Sequence, residues 1–196
     1  MTGTAAILAG GASSRFGSPK ALHLLDGRPM VSVVLDRLKP HFRTVFLAGW
    51  PTGLTPPAGI DHYPDAFVGR AALGGIHTAL ANAPEEWVFC CGCDMPLVQP
   101  AVVSRLISQI DDEDILIPVI NGVRQPLHAV YKRRLLSLVE RLCKTGGAFL
   151  PHLFEEAAVR SLEESAFSSI PYYHLSFVSI NTQDDLRAYA PFLKSL

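Results

Sequence analysis

A glycine-rich segment near the N-terminus combines residue types that bind phosphate groups. Paired glycines let backbone N–H groups approach a phosphate without obstruction by a Cβ atom, and hydroxyl and cationic side chains add further donors and charge. The segment follows a short apolar run that ends at Leu8. We therefore expect it to bind a phosphate-bearing ligand through the glycines Gly10 and Gly11, the hydroxyls of Ser13 and Ser14, and the cations Arg15 and Lys20.

The spacing of this segment disfavours two well-known phosphate loops. No Gly-Lys-Ser/Thr sequence follows the glycines, as a Walker A loop requires, and the G-x-G-x-x-G register of a dinucleotide-binding loop is missing. A kinase, an ATPase and a dehydrogenase are therefore poor interpretations. The alternative to phosphate binding is that Gly10-Gly11 only turns the chain while Arg15 and Lys20 are solvated.

Asp94 is the candidate metal ligand. It follows a fully apolar run at 87–91, so its carboxylate is expected at the same edge of a parallel sheet as the glycine-rich segment. Mg²⁺ retains most of its waters and needs only one or two carboxylates together with phosphate oxygens, so a single aspartate suffices. The alternative is an aspartate that only stabilises a turn or caps a helix.

Apolar runs alternate with amphipathic stretches and would position these residues. Continuous apolar strands between amphipathic helices favour an α/β fold with a three-layer, doubly wound and mostly parallel sheet. Asn121-Gly122 is a strong hairpin signal, which predicts one antiparallel excursion near one edge. We predict strands at 4–8, 44–48, 87–91, 115–119, 127–131 and 177–180, helices at 30–38, 76–82, 100–110 and 135–142, and a last helix opened by Thr182 and Asp185.

Length and composition narrow the class of protein. The 196 residues are 48% hydrophobic and 18% charged, which favours one folded domain spanning 1–196. The formal net charge is −1 and neither sign forms a long block, so we expect no nucleic-acid partner. Glycine or charged residues interrupt every apolar stretch before membrane-spanning length, and the first residues lack a basic signal region. We therefore expect a cytoplasmic protein that does not enter a membrane.

The cysteines and histidines do not predict a redox or zinc centre. Cys90 and Cys93 have C-x-x-C spacing, but in an extended run their Cα atoms would lie about 10 Å apart on opposite faces, too far for a disulfide. We predict that the four cysteines are reduced, with those at 90, 91 and 93 acting as small buried residues. The seven histidines show no recognised zinc-ligand spacing.

Several further motifs, taken together with the first segment, resemble the molybdenum cofactor guanylyltransferases within the wider NTP-transferase group. They keep the family's order from residue 7 to about 187. The resemblance implies a Rossmann-like nucleotide-diphospho-sugar transferase fold, Mg²⁺ dependence, and transfer of GMP from GTP to the phosphate of molybdenum-loaded molybdopterin. The matching motifs are Leu8-Ala9-Gly10-Gly11, Ser14-Arg15-Phe16-Gly17, Pro19-Lys20-Ala21-Leu22, Asp26-Gly27-Arg28-Pro29-Met30, Leu73-Gly74-Gly75-Ile76, Cys93-Asp94-Met95-Pro96, Gln125-Pro126-Leu127-His128-Ala129-Val130-Tyr131 and Ile180-Asn181-Thr182.

The resemblance also assigns roles to residues, with an N-terminal part that binds the nucleotide and a C-terminal part that binds the acceptor. It implies that Arg15, Lys20 and Asp94 are catalytic and that Asp94 holds the metal. The implied nucleotide-binding residues are Leu8, Ala9, Gly10, Gly11, Ser13, Ser14, Lys20, Asp65, Gly74 and Asp94, and the implied acceptor-binding residues are Arg124, Gln125, His128 and Asn181.

Three positions depart from the family's pattern. Pro19 stands directly before the lysine, where family members often carry aspartate. Ala48 ends the second predicted strand, where the family can place an asparagine on the nucleotide, and Ala72 replaces a proline. The sequence therefore does not establish which residues of this region contact the nucleotide base.

Alternative functions remain at this stage. The sequence Leu8-Ala9-Gly10-Gly11 favours GTP over CTP, because the related cytidylyltransferases tend to read Thr-Ala-Ala-Gly. A molybdopterin cytidylyltransferase, another small nucleotidyltransferase and a non-catalytic nucleotide-binding protein are the alternatives. The family hands its product to molybdoenzymes and their chaperones, which implies transient contacts with such partners.

Overall fold

The structure is a computed structural model that describes residues 3–10, 19–146 and 149–193. Its strands are β1 (Thr4–Leu8), β2 (Leu24–Leu25), β3 (Arg28–Pro29), β4 (Thr44–Ala48), β5 (Asp61–Tyr63), β6 (Trp87–Gly92), β7 (Ile115–Ile120), β8 (Val123–Arg124), β9 (His128–Lys132) and β10 (Val159–Glu163). Its α-helices are α1 (Met30–Leu38), α2 (Ala71–Asn82), α3 (Pro100–Ile107), α4 (Leu136–Lys144), α5 (Leu150–Glu156) and α6 (Gln183–Leu193).

A mixed sheet forms the centre of the fold. Its strand order is β10-β7-β9-β6-β1-β4-β5, with the short β8 paired to β7. Neighbouring strands pair in parallel except where β9 runs antiparallel to both β6 and β7, and where β8 turns back on β7 through Asn121-Gly122. The mostly parallel α/β sheet and its antiparallel excursion are thus confirmed, although β9 lies two strands inside the β10 edge.

Helices cover both faces of this sheet because the strand side chains are apolar on both faces. Ala5 and Ile7 of β1 pack with α1 and α3, whereas Ala6 and Leu8 pack with α2 and α4. From β1 the chain passes to β4 and β5 on one side and then returns through α2 to β6 on the other side. The carboxyl ends of β1 and β6 therefore flank a switch point, which is where open α/β sheets bind ligands.

The segment before α6 differs from the prediction. The predicted strand at 177–180 is wrong: Tyr173–Phe177 form a 3₁₀ helix, and the Ile180 N–H donates to the Asp94 carbonyl at 2.8 Å. An apolar run therefore packs as an irregular segment across the site loop instead of joining the sheet. The predicted opening of α6 is confirmed, because Asp185 N–H donates to Thr182 Oγ1 at 3.1 Å and Thr182 N–H donates to Asp185 Oδ2 at 2.8 Å.

Other element boundaries shift without changing the topology. Helix α2 begins five residues before the predicted start, through Gly74 and Gly75, and α3 ends three residues early. The predictions missed the short strands β2, β3, β5 and β8 as well as α5 and β10. No helix in the described ranges is long and apolar enough to cross a membrane.

Candidate active site

A cavity of about 300 Å³ opens at the carboxyl ends of β1 and β6. The ends of two parallel strands, the first turns of α2 and the segment before β9 supply its walls. The predicted residues Leu8, Ala9, Gly10, Lys20 and Asp94 all line it. The remaining lining residues are Pro19, Ala71, Ala72, Gly75, Gly92, Cys93 and Leu127.

Lys20 links the two ends of the predicted site. Its Nζ lies 3.2 Å from Asp94 Oδ2 and also donates a hydrogen bond to Asn181 Oδ1. The side chains of Lys20 and Asp94 are 27% and 13% exposed, so this ion pair is shielded from bulk water yet open to the cavity. Asn181, expected on the acceptor side, is therefore placed beside both residues expected to act on the phosphates.

The backbone of Asn181 is held in turn by α6. Its N–H donates to Asp185 Oδ2 at 2.8 Å, and its side-chain amide donates to the Ser179 carbonyl at 3.3 Å. Because Ile180 N–H also bonds the Asp94 carbonyl, the loops that carry Asp94 and Asn181 are joined through main chain as well as through Lys20. This double connection fixes the relative positions of the two loops.

The surroundings of Asp94 fit a divalent cation. A Cβ atom built on Gly92 would lie 2.5 Å from Asp94 Oδ1, so the glycine leaves space beside that oxygen. No described residue donates a hydrogen bond to Oδ1, and the described ranges contain no group of three or more His, Cys, Asp or Glu side chains arranged around a metal. One open carboxylate suits Mg²⁺, which takes its remaining ligands from water and phosphate.

A second cavity of about 550 Å³ meets the first at Gly10 and Ala71. Asp65 lies in its wall together with Gly49, Trp50, Pro51, Thr52, Pro64, Val68 and Gly69. Burial raises the pKa of the Asp65 carboxyl, while a hydrogen bond from Thr78 and the nearby His77 oppose that shift. The two cavities therefore share part of their lining, with the Lys20–Asp94 ion pair in the first and the Asp65 carboxylate in the second.

His128 does not reach either cavity. Its side chain is fully buried, with ring centroids 5.0 Å from Phe89 and 4.6 Å from Phe177. Both ring nitrogens lack a hydrogen-bond partner in the described part of the chain, and burial lowers the pKa of His128 to about 3. The prediction that His128 contacts the acceptor is therefore corrected: β9 is an interior strand, and this side chain is a neutral part of the core.

The other predicted residues fall into three groups. Arg124 is exposed and stacks over the Phe154 ring at 5.4 Å, and Gln125 donates to the Val123 carbonyl at 3.1 Å. Gly74 packs beside Asp65, where a Cβ atom would lie 2.9 Å from the Phe67 carbonyl. The predicted residues Gly11, Ser13, Ser14 and Arg15 lie outside the described residues.

Sequence reasoning missed several residues of the site. Gly92 was detectable, because it ends an apolar strand just before Asp94. Thr78 gave no signal, since a threonine within a helix usually faces solvent or its own backbone. Of the departures from the family pattern, Ala48 is fully buried and its methyl side chain carries no polar group, while Ala72 lines the first cavity.

The structure agrees with the prediction that the four cysteines are reduced. All four cysteines are free and buried, with no disulfide between them. Burial raises the pKa of the Cys93 thiol to about 12, so it stays protonated although it borders the cavity. A thiolate nucleophile or a redox pair at 90 and 93 is therefore absent from the chemistry of this site.

Comparisons with known proteins identify the family of this chain. The family model for the MobA-like NTP transferase domain matches residues 5–162. The molybdenum cofactor guanylyltransferase of Desulfosudis oleivorans is 33% identical over 193 residues, covering 93% of this chain and 92% of that protein. A probable molybdenum cofactor guanylyltransferase of Halalkalibacterium halodurans is 34% identical over 189 residues, covering 92% of this chain and 93% of that protein.

A solved structure shows the same fold. The molybdopterin-guanine dinucleotide biosynthesis protein A of Archaeoglobus fulgidus superposes with a TM-score of 0.84 at 24% identity, covering 98% of this chain and 100% of that one. The family match and the two curated relatives extend over nearly all the elements that build the cavities. The chain belongs to the MobA-like NTP transferase family.

Proposed function

We propose that this nucleotidyltransferase transfers GMP from GTP to the phosphate of molybdenum-loaded molybdopterin, forming the guanine dinucleotide cofactor and pyrophosphate. The observation that carries the proposal is the Lys20–Asp94–Asn181 cluster beside a cavity at the switch point of the sheet. The names of the two curated relatives supply the substrates.

The nucleotide spans the two cavities in this proposal. The phosphates lie by Lys20 and the backbone of Leu8, Ala9 and Gly10. The family resemblance adds Gly11, Ser13, Ser14 and Arg15, which lie outside the described residues, as further phosphate donors. The base enters the second cavity, where Asp65 is the carboxylate, and Gly74 packs behind it beside Asp65 and the Phe67 carbonyl. Guanine suits a carboxylate because it presents adjacent N–H donors, whereas the cytosine ring offers a single amino donor beside acceptors.

Asp94 is the proposed Mg²⁺ ligand through the oxygen that Gly92 leaves open. The ion, when bound, offsets negative charge on the phosphates and favours departure of pyrophosphate. Lys20 lies against the other carboxylate oxygen at 3.2 Å, which lets it hold Asp94 in place and reach the triphosphate by a small side-chain movement.

The chemical step is a substitution at the α-phosphorus of GTP. An oxygen of the acceptor phosphate attacks, a new P–O bond forms, and the bond between the α-phosphorus and the bridging oxygen breaks, so that pyrophosphate leaves with its electron pair. The attacking oxygen is already anionic at neutral pH, and the protein need not supply a general base. The protein contributes to catalysis by positioning the reactants and by compensating negative charge through Lys20.

The acceptor is placed against the C-terminal half of the chain. Arg124 supplies a fixed cation, Gln125 and Asn181 supply amide groups, and Asn181 is already connected to Lys20. One domain over 1–196 would thus divide into a nucleotide side and an acceptor side. We also propose that the protein makes transient contacts with molybdoenzymes or their chaperones and that it is located in the cytoplasm.

The test is pyrophosphate release by the purified full-length chain with Mg²⁺ and molybdenum-loaded molybdopterin, comparing GTP with CTP. We expect release that requires molybdopterin, prefers GTP and collapses in Asp94→Ala. The matched control is Asp36→Ala, because Asp36 is an exposed aspartate on α1 whose described ion pair is with Arg28. Preference for CTP would favour the cytidylyl alternative, and nucleotide binding without release would favour a non-catalytic protein.

A further inference from the structure

Glycine residues pack closely around the carboxylate of Asp65, where a larger side chain would collide with it. A Cβ atom built on Gly10 would lie 2.7 Å from Asp65 Oδ2, and one built on Gly49 would lie 2.8 Å from the same oxygen. A Cβ atom on Gly74 would lie 3.6 Å away. The Cβ of Gly49 would also lie 2.9 Å from Oδ1, so it is Gly10 that distinguishes Oδ2 from Oδ1. Gly10 and Asp65 both line the second cavity, which places Oδ2 on the side of the carboxylate next to Gly10.

The other carboxylate oxygen has one partner. Thr78 Oγ1 lies 2.7 Å from Asp65 Oδ1 and 3.1 Å from the Gly74 carbonyl. A hydroxyl has a single proton to donate, and the shorter contact to a charged acceptor takes it. No described residue donates a hydrogen bond to Oδ2, which leaves that oxygen available to a ligand.

The position of Thr78 makes this contact rigid. Thr78 is 3% exposed and lies on α2, whose first turns pass both cavities. Its β-branched side chain has restricted rotamers in a helix, so the hydroxyl is held without a large loss of conformational freedom on ligand binding. His77, the neighbouring titratable group, packs edge-on against Phe67 with ring centroids 4.7 Å apart, and no hydrogen bond joins it to the Asp65 carboxylate.

We infer that Thr78 is a positioning residue for base recognition: by donating to Oδ1 it orients Asp65 so that Oδ2 accepts the N–H donors of guanine. This inference rests on the proposed function and deepens it. The hydroxyl also stabilises the ionised carboxylate against its partial burial. Thr78 acts through Asp65 and does not touch the nucleotide itself.

Calorimetric titration of the full-length protein with GTP and Mg²⁺ tests the inference. Thr78→Val keeps the shape but removes the donor, and we expect the Kd for GTP to rise about tenfold, the size of one hydrogen bond to a charged group. Thr78→Ser restores the donor and should return the Kd close to the wild-type value. Inosine triphosphate, which lacks the guanine 2-amino group, should show a smaller loss of affinity in Thr78→Val than GTP shows.

Two controls separate this role from a general effect on folding. Thr145→Val is the matched control, because Thr145 is likewise a threonine whose Oγ1 lies close to the carbonyl four residues earlier, 3.0 Å from that of Arg141, but it lies at an exposed helix end. In an Asp65→Ala background, Thr78→Val should cause no further loss of affinity, since the two residues act as one unit. That background also tests the contact if Thr78→Val alone fails to fold.

The outcomes distinguish the inference from the proposed function. If the wild-type protein does not bind GTP, the proposed function fails. If it binds GTP but Thr78→Val binds equally well, or if Thr78→Ser does not rescue binding, the inference about Thr78 is wrong. Equal losses from Thr78→Val with and without Asp65 would also overturn it.

Discussion

Replacement of Gly92 by alanine should disable the enzyme while leaving it folded. The added Cβ atom would lie 2.5 Å from Asp94 Oδ1, whereas ordinary contact begins at 3.4 Å, so the carboxylate must move by about 0.9 Å. Its contacts with Met95 would be ordinary, at 3.4 and 3.5 Å, so the movement falls on Asp94 alone. Misplacement of a catalytic group by about 1 Å can cost about 100-fold in rate.

We therefore expect kcat/KM for pyrophosphate release to fall about 100-fold in Gly92→Ala, equal to about 2.7 kcal/mol of transition-state stabilisation. The free energy of unfolding should change little, because the crowded atom is the end of a side chain that borders a cavity. Steady-state kinetics with GTP and urea denaturation measure the two quantities. The matched control is Gly146→Ala, where a Cβ atom would meet nothing within 4 Å.

Two results would refute this reasoning. If folded Gly92→Ala retains wild-type kcat/KM, the position of Asp94 does not limit the reaction. A loss of activity that merely follows a large loss of stability would also contradict the argument, because it would place the damage in the strand and not in the carboxylate.

Three further predictions concern the core, the C-terminal helix and the thiols. The unfolded chain takes up a proton on His128 near pH 6.5, whereas the folded chain does so only near pH 3. The contribution of neutral His128 to the free energy of unfolding is therefore complete above pH 6.5 and falls by up to about 1.4 kcal/mol per pH unit below it. His128→Leu should flatten this slope in pH-dependent denaturation. Asp185→Ala removes the acceptor for Asn181 N–H and should lower both Tm and kcat/KM. All four buried cysteines should resist a thiol reagent in the folded protein and react in denaturant.

Each of these predictions has its own control or contradicting result. The pH slope of His128→Leu must differ from that of the wild type, and identical slopes would show that the folded protein protonates this ring. Asp184→Ala is the control for Asp185→Ala, because Asp184 is 89% exposed and its described ion pair is only with Arg187. Rapid labelling of even one thiol in the folded protein would contradict the burial of that cysteine.

The parts of the site predicted from sequence are those set by strand order. Leu8 ends one continuous apolar run and Asp94 follows another, and the ends of parallel strands meet at one edge, so the proximity of these two residues followed from the pattern. The structure brings both to one cavity. Local patterns and general topology were sufficient here because no long-range side-chain contact was needed.

The parts that could not be predicted depend on contacts between distant segments. The bond from Lys20 to Asn181 joins residues 161 positions apart, and no local pattern encodes it. His128 was chosen for its donors, but an interior strand is buried on both faces and alternation cannot reveal exposure. The apolar run at 177–180 donates a backbone hydrogen bond to the loop of Asp94 instead of pairing with a sheet edge, and tertiary packing determines which of the two forms.

The hydrogen bond from Ile180 N–H to the Asp94 carbonyl also sets an order of events during synthesis. A ribosome adding about 5 to 20 residues per second needs about 4 to 17 s to pass from residue 94 to residue 180. The strands that flank the first cavity can pair during this interval, while the loop of Asp94 still lacks its partner and Lys20 still lacks Asn181. The nascent chain therefore forms the strands around the first cavity first, and the cluster of Lys20, Asp94 and Asn181 is completed only when the last segments emerge.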